Sequence, residues 1–342
     1  MKKILITGGC GFVGSALIRW LLAHTEARIT NLDALTYAAQ PAALADHDGS
    51  DRYRFVQGDL TDAPLLGRLL AETQPEALIH LAAETHVDRS IDGPAAFMHS
   101  NLQGTFTLLE ATRQWLASQS RAARAGFRLL QVSTDEVYGD RGEHGAPAHE
   151  EAPWRTSSPY AASKAGADHL ADAWYRTWGL PVMVSHSSNN YGPWQYPEKL
   201  IPVVIRQALA GQPIPLYGDG QQVRDWLHVD DHARALWCLL QQGEPGQHYN
   251  ISAQAPLANA DLVQRLCALL DQASPQTAPP GGHASLILPV ADRPGHDRRY
   301  AITSDRIQAL GWQPHVPLQQ GLKDTVAFYL AYFRGVPSHA RS

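Results

Sequence analysis

The opening of the chain restricts its fold more than any other stretch. Lys3 to Thr7 is a short, mostly apolar run suited to a buried strand. It runs into Gly8-Gly-Cys-Gly11-Phe12-Val13-Gly14, then into a helix-period pattern through Leu17, Ile18, Leu21 and Leu22. Strand, glycine-rich turn and helix in that order begin a parallel α/β unit. The spacing is G-x-x-G-x-x-G rather than G-x-G-x-x-G, but the physical use is the same. Residues without Cβ atoms let the backbone approach a pyrophosphate at the positive end of a helix. Alone, such a loop is also what any tight strand-to-helix turn looks like. Here a second strand, Arg28 to Leu32, ends at Asp33, about twenty residues beyond the glycines. A carboxylate there can bond ribose hydroxyls and repel a 2′-phosphate, which favours NAD over NADP.

The strand–helix rhythm continues. Tyr53 to Gln57 reads as a third strand leading to Asp59, placed to meet an adenine ring unless it serves the next helix N-terminus. Ala77 to Leu81 reads as a fourth, opening onto Ala82 and Ala83, small enough for a cofactor to lie against the backbone. A long helix is expected from Pro94 to about Ser118, and a fifth strand through Leu129 and Val132. Gly139 to Ser158 reads as a surface loop, Pro159 to Trp178 as a helix, and Val182 to Val184 as a sixth strand. After Pro193 the rhythm loosens into helices near 200–210, 230–241, 257–270 and 318–333, short strands and a polar tail. The predicted class is α/β: a Rossmann-type parallel sheet flanked by helices, with a smaller mixed C-terminal substrate-binding region. The expected division is 1–190 for the cofactor and 191–342 for the substrate, with the chain crossing between them more than once.

The fifth strand ends in Ser133-Thr134-Asp135-Glu136, which puts two carboxylates where ligands of open α/β sheets lie. Tyr160 and Lys164 follow at i, i+4, on one face of a helix. A neighbouring ammonium favours the phenolate, so the Tyr should serve as a general base. A simple dehydrogenase needs only that base. The added Asp-Glu pair points to a second chemical step, although two acidic residues alone would suit a solvated turn.

Composition excludes several classes. A formal net charge of −5 offers no basic footprint for nucleic acid. The 3 Cys, at 10, 238 and 267, make neither a disulfide framework nor a zinc knuckle and suit a reducing cytosol. The apolar run after Met1-Lys2-Lys3 stops at Gly8-Gly9, too early for a signal peptide, and no run approaches the ~20 residues of a membrane span. His228 and His232 stand at i, i+4 but lack a third ligand, so packing or capping is the expected role and no metal is expected.

With these motifs in order, the chain resembles the extended short-chain dehydrogenase/reductases, and within them the dTDP-glucose 4,6-dehydratases. The carrying segments are TGGCGFVGS from Thr7, HLAAETHVDRS from His80, STDEVYG from Ser133 and YAASK from Tyr160. SNNYGP from Ser188, PEKLIP from Pro197, GDGQQVRDWLHVDDHARAL from Gly218 and DRPGHDRRYAI from Asp292 complete them. Departures are Thr85 where Ser is usual, Ser100 where Thr is, and a short loop after Gly139.

The resemblance implies C4 oxidation of a hexose by NAD⁺, which acidifies the C5 proton, then loss of water and hydride return to C6. Tyr160 would take the C4 hydroxyl proton, with Lys164 supporting it and Thr134 bonding the C4 oxygen. Glu136 would remove the C5 proton and Asp135 would protonate the leaving C6 hydroxyl. NAD would be held by Gly8, Gly11, Phe12, Val13, Gly14, Asp33, Ala34, Leu35, Thr36, Asp59, Leu60, Leu81, Ala82, Ala83, Thr85, Ser100, Tyr160, Lys164 and Asn190. The sugar nucleotide would be held by Thr85, Thr134, Asn189, Lys199, Leu200, Pro215, Leu216, Tyr217, Arg224 and Asn259, with Asp292, Arg293, Pro294, Gly295 and His296. Arg and Lys suit a diphosphate. The apolar faces of the helices 94–118 and 159–178 predict a homodimer, unless they simply cover the sheet, and the resemblance implies a four-helix contact there. The alternatives are a related enzyme on another nucleotide sugar, including a C4-epimerase, and a non-catalytic NAD-sensing protein. An epimerase has no need of the carboxylate pair, and a sensor no need of Tyr160 or Lys164.

Overall fold

The computed structural model describes residues 1–335; of the polar tail expected after Phe333, residues 336–342 lie outside them. Twelve strands follow in chain order: β1 (Lys3–Thr7), β2 (Arg28–Asp33), β3 (Tyr53–Gln57), β4 (Ala77–His80), β5 (Arg128–Thr134) and β6 (Val182–Ser187), then β7 (Asn189–Tyr191), β8 (Ile214–Tyr217), β9 (Val223–His228), β10 (His248–Ile251), β11 (Pro256–Ala258) and β12 (Ile287–Val290). Seven form one wholly parallel sheet in the order β3-β2-β1-β4-β5-β6-β10. The order reverses between β1 and β4, and at such a switch point an open sheet leaves a crevice beyond its carboxyl ends. Both faces of the sheet are covered, which explains near-continuous apolar strands such as Ala77–His80. Each Leu or Ile fully buried there contributes about 1.5–3 kcal/mol.

A second apolar core joins the helices Leu200–Leu209, Asn259–Ala273 and Leu318–Gly335 to two small sheets, β11-β9-β7 and β12-β8. The chain leaves the large sheet after β6. It returns with the helix Val229–Gln242, whose Leu236 and Leu239 pack into the first core, and with β10, which pairs in parallel with β6. No described helix is long and apolar enough to cross a membrane.

Several expected elements change shape. The helix from Pro94 is not uniform: Pro94–Phe97 passes through a π-helical segment, Met98–Gln103, before Gly104–Ala117. That wider turn turns Asn101 inward, where it bonds both the N–H and the C=O of Glu84 and the hydroxyl of Ser163. The helix expected from Leu257 starts only at Asn259, because Pro256–Ala258 pairs with β9. Part of the loop 139–158 is core, with Ala148 and Ala152 buried around Val137 and Tyr138.

Candidate active site

The carboxyl ends of β1 to β6 surround one cavity of about 450 Å³. The glycines at its floor are required by contact. A Cβ on Gly14 would lie 2.2 Å from the Gly8 carbonyl oxygen, and one on Gly8, at φ +75°, 2.5 Å from the Ala82 backbone. Gly11 caps the helix Phe12–His24, leaving that positive end open to an anion. Asp33 accepts from the backbone N–H of Cys10 and of Leu35, both at 2.8 Å, which pins the carboxylate beside the glycine turn. This cradle and its acidic rim fit a dinucleotide.

Eighteen of the nineteen expected cofactor positions border this cavity: Gly8, Gly11, Phe12, Val13, Gly14, Asp33, Ala34, Thr36, Asp59, Leu60, Leu81, Ala82, Ala83, Thr85, Ser100, Tyr160, Lys164 and Asn190. Leu35 does not; at φ +54° it turns its side chain onto the first core. Asp59 bonds Thr61, while Asp62 caps the following helix. Ala96, His99, Ser187, Ser188, Gln195, Tyr196, Glu198 and His232 also border the cavity. Sequence reasoning missed Glu198, which accepts from Tyr37 Oη at 2.9 Å while the Arg89 guanidinium lies 3.7 Å over the Tyr37 ring. PEKLIP contained the one signal, a Glu beside Lys199.

The catalytic candidates converge. The helix Pro159–Trp178 starts because Ser158 accepts from the Ala161 N–H and Pro159 presets the first turn; Gly179 in the left-handed region ends it. It presents Tyr160 and Lys164 to Thr134, Asp135 and Glu136 at the end of β5, all bordering the cavity. Asp135 is buried, its Oδ2 has no partner, and burial followed by the Glu136 charge raises its pKa well above the carboxylate range. Burial also raises Glu136, against the pull of Arg224, Arg293 and Lys199. A carboxyl that burial and a neighbouring charge favour neutral, next to one that three cations pull toward its ionised form, is an arrangement in which two carboxyls can do opposite jobs.

The expected lowering of Tyr160 by Lys164 is not found. Burial, then the Glu136 charge, holds the phenol above its ordinary value, opposed by a hydrogen bond from Thr134. Lys164 donates to the Val132 carbonyl at 2.7 Å, and burial lowers its own pKa. Burial is the leading cause for both groups, and neither is among the causes that shift the other.

The expected substrate residues divide. Thr85, Thr134, Asn189 and Lys199 border the cavity, and Lys199 donates to the Thr85 carbonyl at 3.0 Å. Leu200, Pro215, Leu216, Tyr217, Arg224, Asn259, Asp292, Arg293, Pro294, Gly295 and His296 stand outside its walls. Several form an adjoining group: Arg293 pairs with Asp88 at 3.0 Å, His296 with Asp292 at 2.6 Å, and Tyr217 meets the His296 ring edge-on. Arg224 lies 4.1 Å over the ring of Tyr300, whose hydroxyl reaches Asp297 at 2.7 Å and Glu136 at 3.5 Å. Leu216 is core, Leu200 opens a helix packed on the second core, and Pro294 and Gly295 are exposed. Asn259 is the first residue of its helix, with a buried, unpartnered Oδ1. His228 caps the helix Val229–Gln242, and His232 Nδ1 bonds Asn190 Oδ1 at 2.9 Å. Among the described residues no group of His, Cys, Asp and Glu could hold a metal ion.

Residues 5–325 match the family model described as GDP-mannose 4,6 dehydratase. A probable dTDP-glucose 4,6-dehydratase of Sinorhizobium fredii is 49% identical over 329 residues, covering 96% of this chain and 93% of the relative. The dTDP-glucose 4,6-dehydratase 1 of Escherichia coli is 48% identical over 338 residues, with the same coverage. The crystal structure of the dTDP-glucose 4,6-dehydratase of Streptomyces venezuelae with NAD and dTDP bound superposes with a TM-score of 0.87 at 42% identity, covering 96% of this chain and 97% of that one. The chain belongs to the extended short-chain dehydrogenase/reductase family that the GDP-mannose 4,6 dehydratase model describes, and within it to the dTDP-glucose 4,6-dehydratases.

Proposed function

We propose that this chain is an NAD-dependent hydro-lyase that converts dTDP-glucose to dTDP-4-keto-6-deoxyglucose and water, a step in deoxysugar biosynthesis. The observation that carries the reading is the Asp135–Glu136 pair bordering the same cavity as Tyr160, Lys164 and the glycine cradle. NAD⁺ held in this cradle would supply a hydride acceptor for C4 and, once reduced, a hydride donor for C6, so the cycle would be redox-neutral and the cofactor would have no need to leave. The nineteen cofactor positions named above, with Leu35 acting through its backbone on Asp33, are assigned to NAD.

Tyr160 removes the C4 hydroxyl proton, with Thr134 bonding the C4 oxygen and Lys164 holding the nicotinamide ribose. The C4 ketone makes the C5 proton acidic, and Glu136 removes it. Asp135 gives its proton to the C6 hydroxyl, which leaves as water. Glu136 then returns a proton to C5. Lys199, Arg224 and Arg293 are the cations available to a diphosphate, with Asn189, Tyr217, Asn259 and His296 beside it, Leu200, Pro215 and Leu216 packing behind, and the turn Asp292 to Gly295 closing over it.

Purified protein incubated with dTDP-glucose and no added NAD is expected to give a species that absorbs after addition of base, and product NMR should show a 4-keto-6-deoxy sugar. A product altered only at C4 would overturn the dehydratase reading in favour of epimerisation, and no product would favour a sensor. UDP-, CDP- and GDP-sugars assayed side by side test the base.

We also propose a homodimer of cytosolic protein. Met98 and Phe106, and Tyr175 and Trp178 on the second helix, are large apolar side chains left exposed on the two helices expected to pair. Light scattering at micromolar concentration is expected to report twice the 37.4 kDa chain mass; a monomer mass would refute the pairing. The functional division 1–190 for the cofactor and 191–342 mainly for the substrate accompanies this reading.

A further inference from the structure

A buried polar chain lies behind Tyr160 and Lys164 and has no part in the steps above. Tyr160, Lys164 and Asp168 recur every fourth residue along one helix face. Asp168 is fully buried; its Oδ2 accepts from Ser133 Oγ at 2.5 Å and lies 3.2 Å from His186 Nε2. His186 Nδ1 is 3.0 Å from Tyr138 Oη, which is 2.8 Å from Asn250 Oδ1. Asp168 Oδ1 is buried and has no partner. The chain therefore ties together β5, β6, β10 and the helix that bears the Tyr–Lys pair.

Counting hydrogens along it gives a definite result. Asn250 Nδ2 donates to the Ala148 carbonyl at 3.1 Å, so its Oδ1 faces Tyr138. An amide oxygen carries no hydrogen, so Tyr138 donates its only one. The Tyr138 oxygen then accepts from His186, whose hydrogen sits on Nδ1. A neutral imidazole of that tautomer has a lone pair on Nε2, facing a carboxyl oxygen. Two lone pairs cannot hold that separation in a site closed to water, so one more proton lies between them. Burial holds His186 below the usual imidazole range.

We infer that Asp168 and His186 share one proton, that His186 thereby masks the charge of Asp168, and that both are positioning residues leaving the Lys164 ammonium free to act on Tyr160. An unmasked Asp168 would pair with Lys164 one turn away and would directly oppose loss of the Tyr160 proton. Masking also suits the bare Oδ1, since a lone carboxyl oxygen is cheaper to bury than an ionised one. The other titratable groups around the pair are Asp172 and His169 on the same helix, and Asp135, Glu136 and Tyr138 after β5. Glu150 bonds the Asn250 N–H, and His248, 5.3 Å from His186 between ring centres, is held by Asp172 at 2.8 Å.

The kinetic arm of the test rests on the dehydratase reading. It uses the holoenzyme with dTDP-6-deoxyglucose, which lacks the C6 hydroxyl and so stops after C4 oxidation, read as NADH absorbance. Asp168→Asn can donate from its amide nitrogen to His186 Nε2 and to Ser133 Oγ, whose bond thereby reverses, and cannot carry charge, so its pH midpoint and rate should stay within about twofold of the parent. In His186→Leu an ionised Asp168 should move the midpoint to higher pH and slow oxidation at neutral pH roughly tenfold, about one pH unit. The double variant should move back. A tenfold loss in Asp168→Asn, or an unmoved midpoint in His186→Leu, overturns the inference. Proton NMR judges it without substrate: a far-downfield resonance from the shared proton, lost in Asp168→Asn, is expected, and its absence from the parent overturns it. If the parent does not oxidise the analogue, the dehydratase reading fails while the NMR result still decides the shared proton. If His186→Leu does not fold, Asp168→Asn and the NMR decide.

Discussion

Asp135→Asn is expected to oxidise C4 at close to the parent rate and then stall before water leaves. Asp135 sits in a site where burial and the adjoining Glu136 charge favour its neutral form. Asn is neutral and nearly the same shape, so substrate placement and the Tyr160 step should survive. What disappears is the one proton that the C6 hydroxyl needs to depart. Loss of a positioned acid costs typically 10²–10⁴-fold, and the loss should fall on product formation alone. The measurement is stopped-flow absorbance with dTDP-glucose: NADH should accumulate in the variant and remain transient in the parent. Turnover at the parent rate would remove Asp135 from the acid role, and failure to form NADH would move it to an earlier step.

The second large effect is expected from Tyr160→Phe, and it should appear one step sooner. The phenyl ring keeps the edge-to-face contact with Phe97 and loses only the hydroxyl that faces Thr134. C4 oxidation should fall by roughly 10²–10⁴-fold with no accumulation of NADH, while affinity for the sugar nucleotide changes little. The sign of the pH dependence follows from the same environment. The step needs the phenolate, and burial together with Glu136 opposes its formation. Parent C4 oxidation should therefore rise with pH and the Phe variant should lose that rise. A variant with the same ascending limb as the parent would assign the base to another group.

The two variants separate the chemistry of two elements. Tyr160 comes from a helix whose start and end are written in Ser158, Pro159 and Gly179, and it runs over the expected residues, Pro159–Trp178. Asp135 and Glu136 come from the end of a strand that apolar patterning revealed. Local chemistry was sufficient in both cases, because a cap, a proline and a run of buried side chains act over a few residues. The π-helical turn at Met98–Gln103 had no such signature. Asn101 within it bonds a loop seventeen residues away in sequence, and periodicity does not record that partner. The same holds for Glu198, which reaches Tyr37 across the cavity mouth over 161 residues of chain.

By itself, the order of strands, glycines and helices determined a parallel α/β sheet, the cradle at its carboxyl edge and the residue types of the acid–base set. Those features depend on backbone sterics and the period of apolar side chains, which are local. Only the tertiary structure decided the electrical state of the set. Whether Lys164 lowers Tyr160, and how strongly each carboxyl of the pair is pushed toward its neutral form, depend on burial and on charges contributed by distant segments. Desolvation is a property of everything packed around a group, so it exists only once the chain has closed.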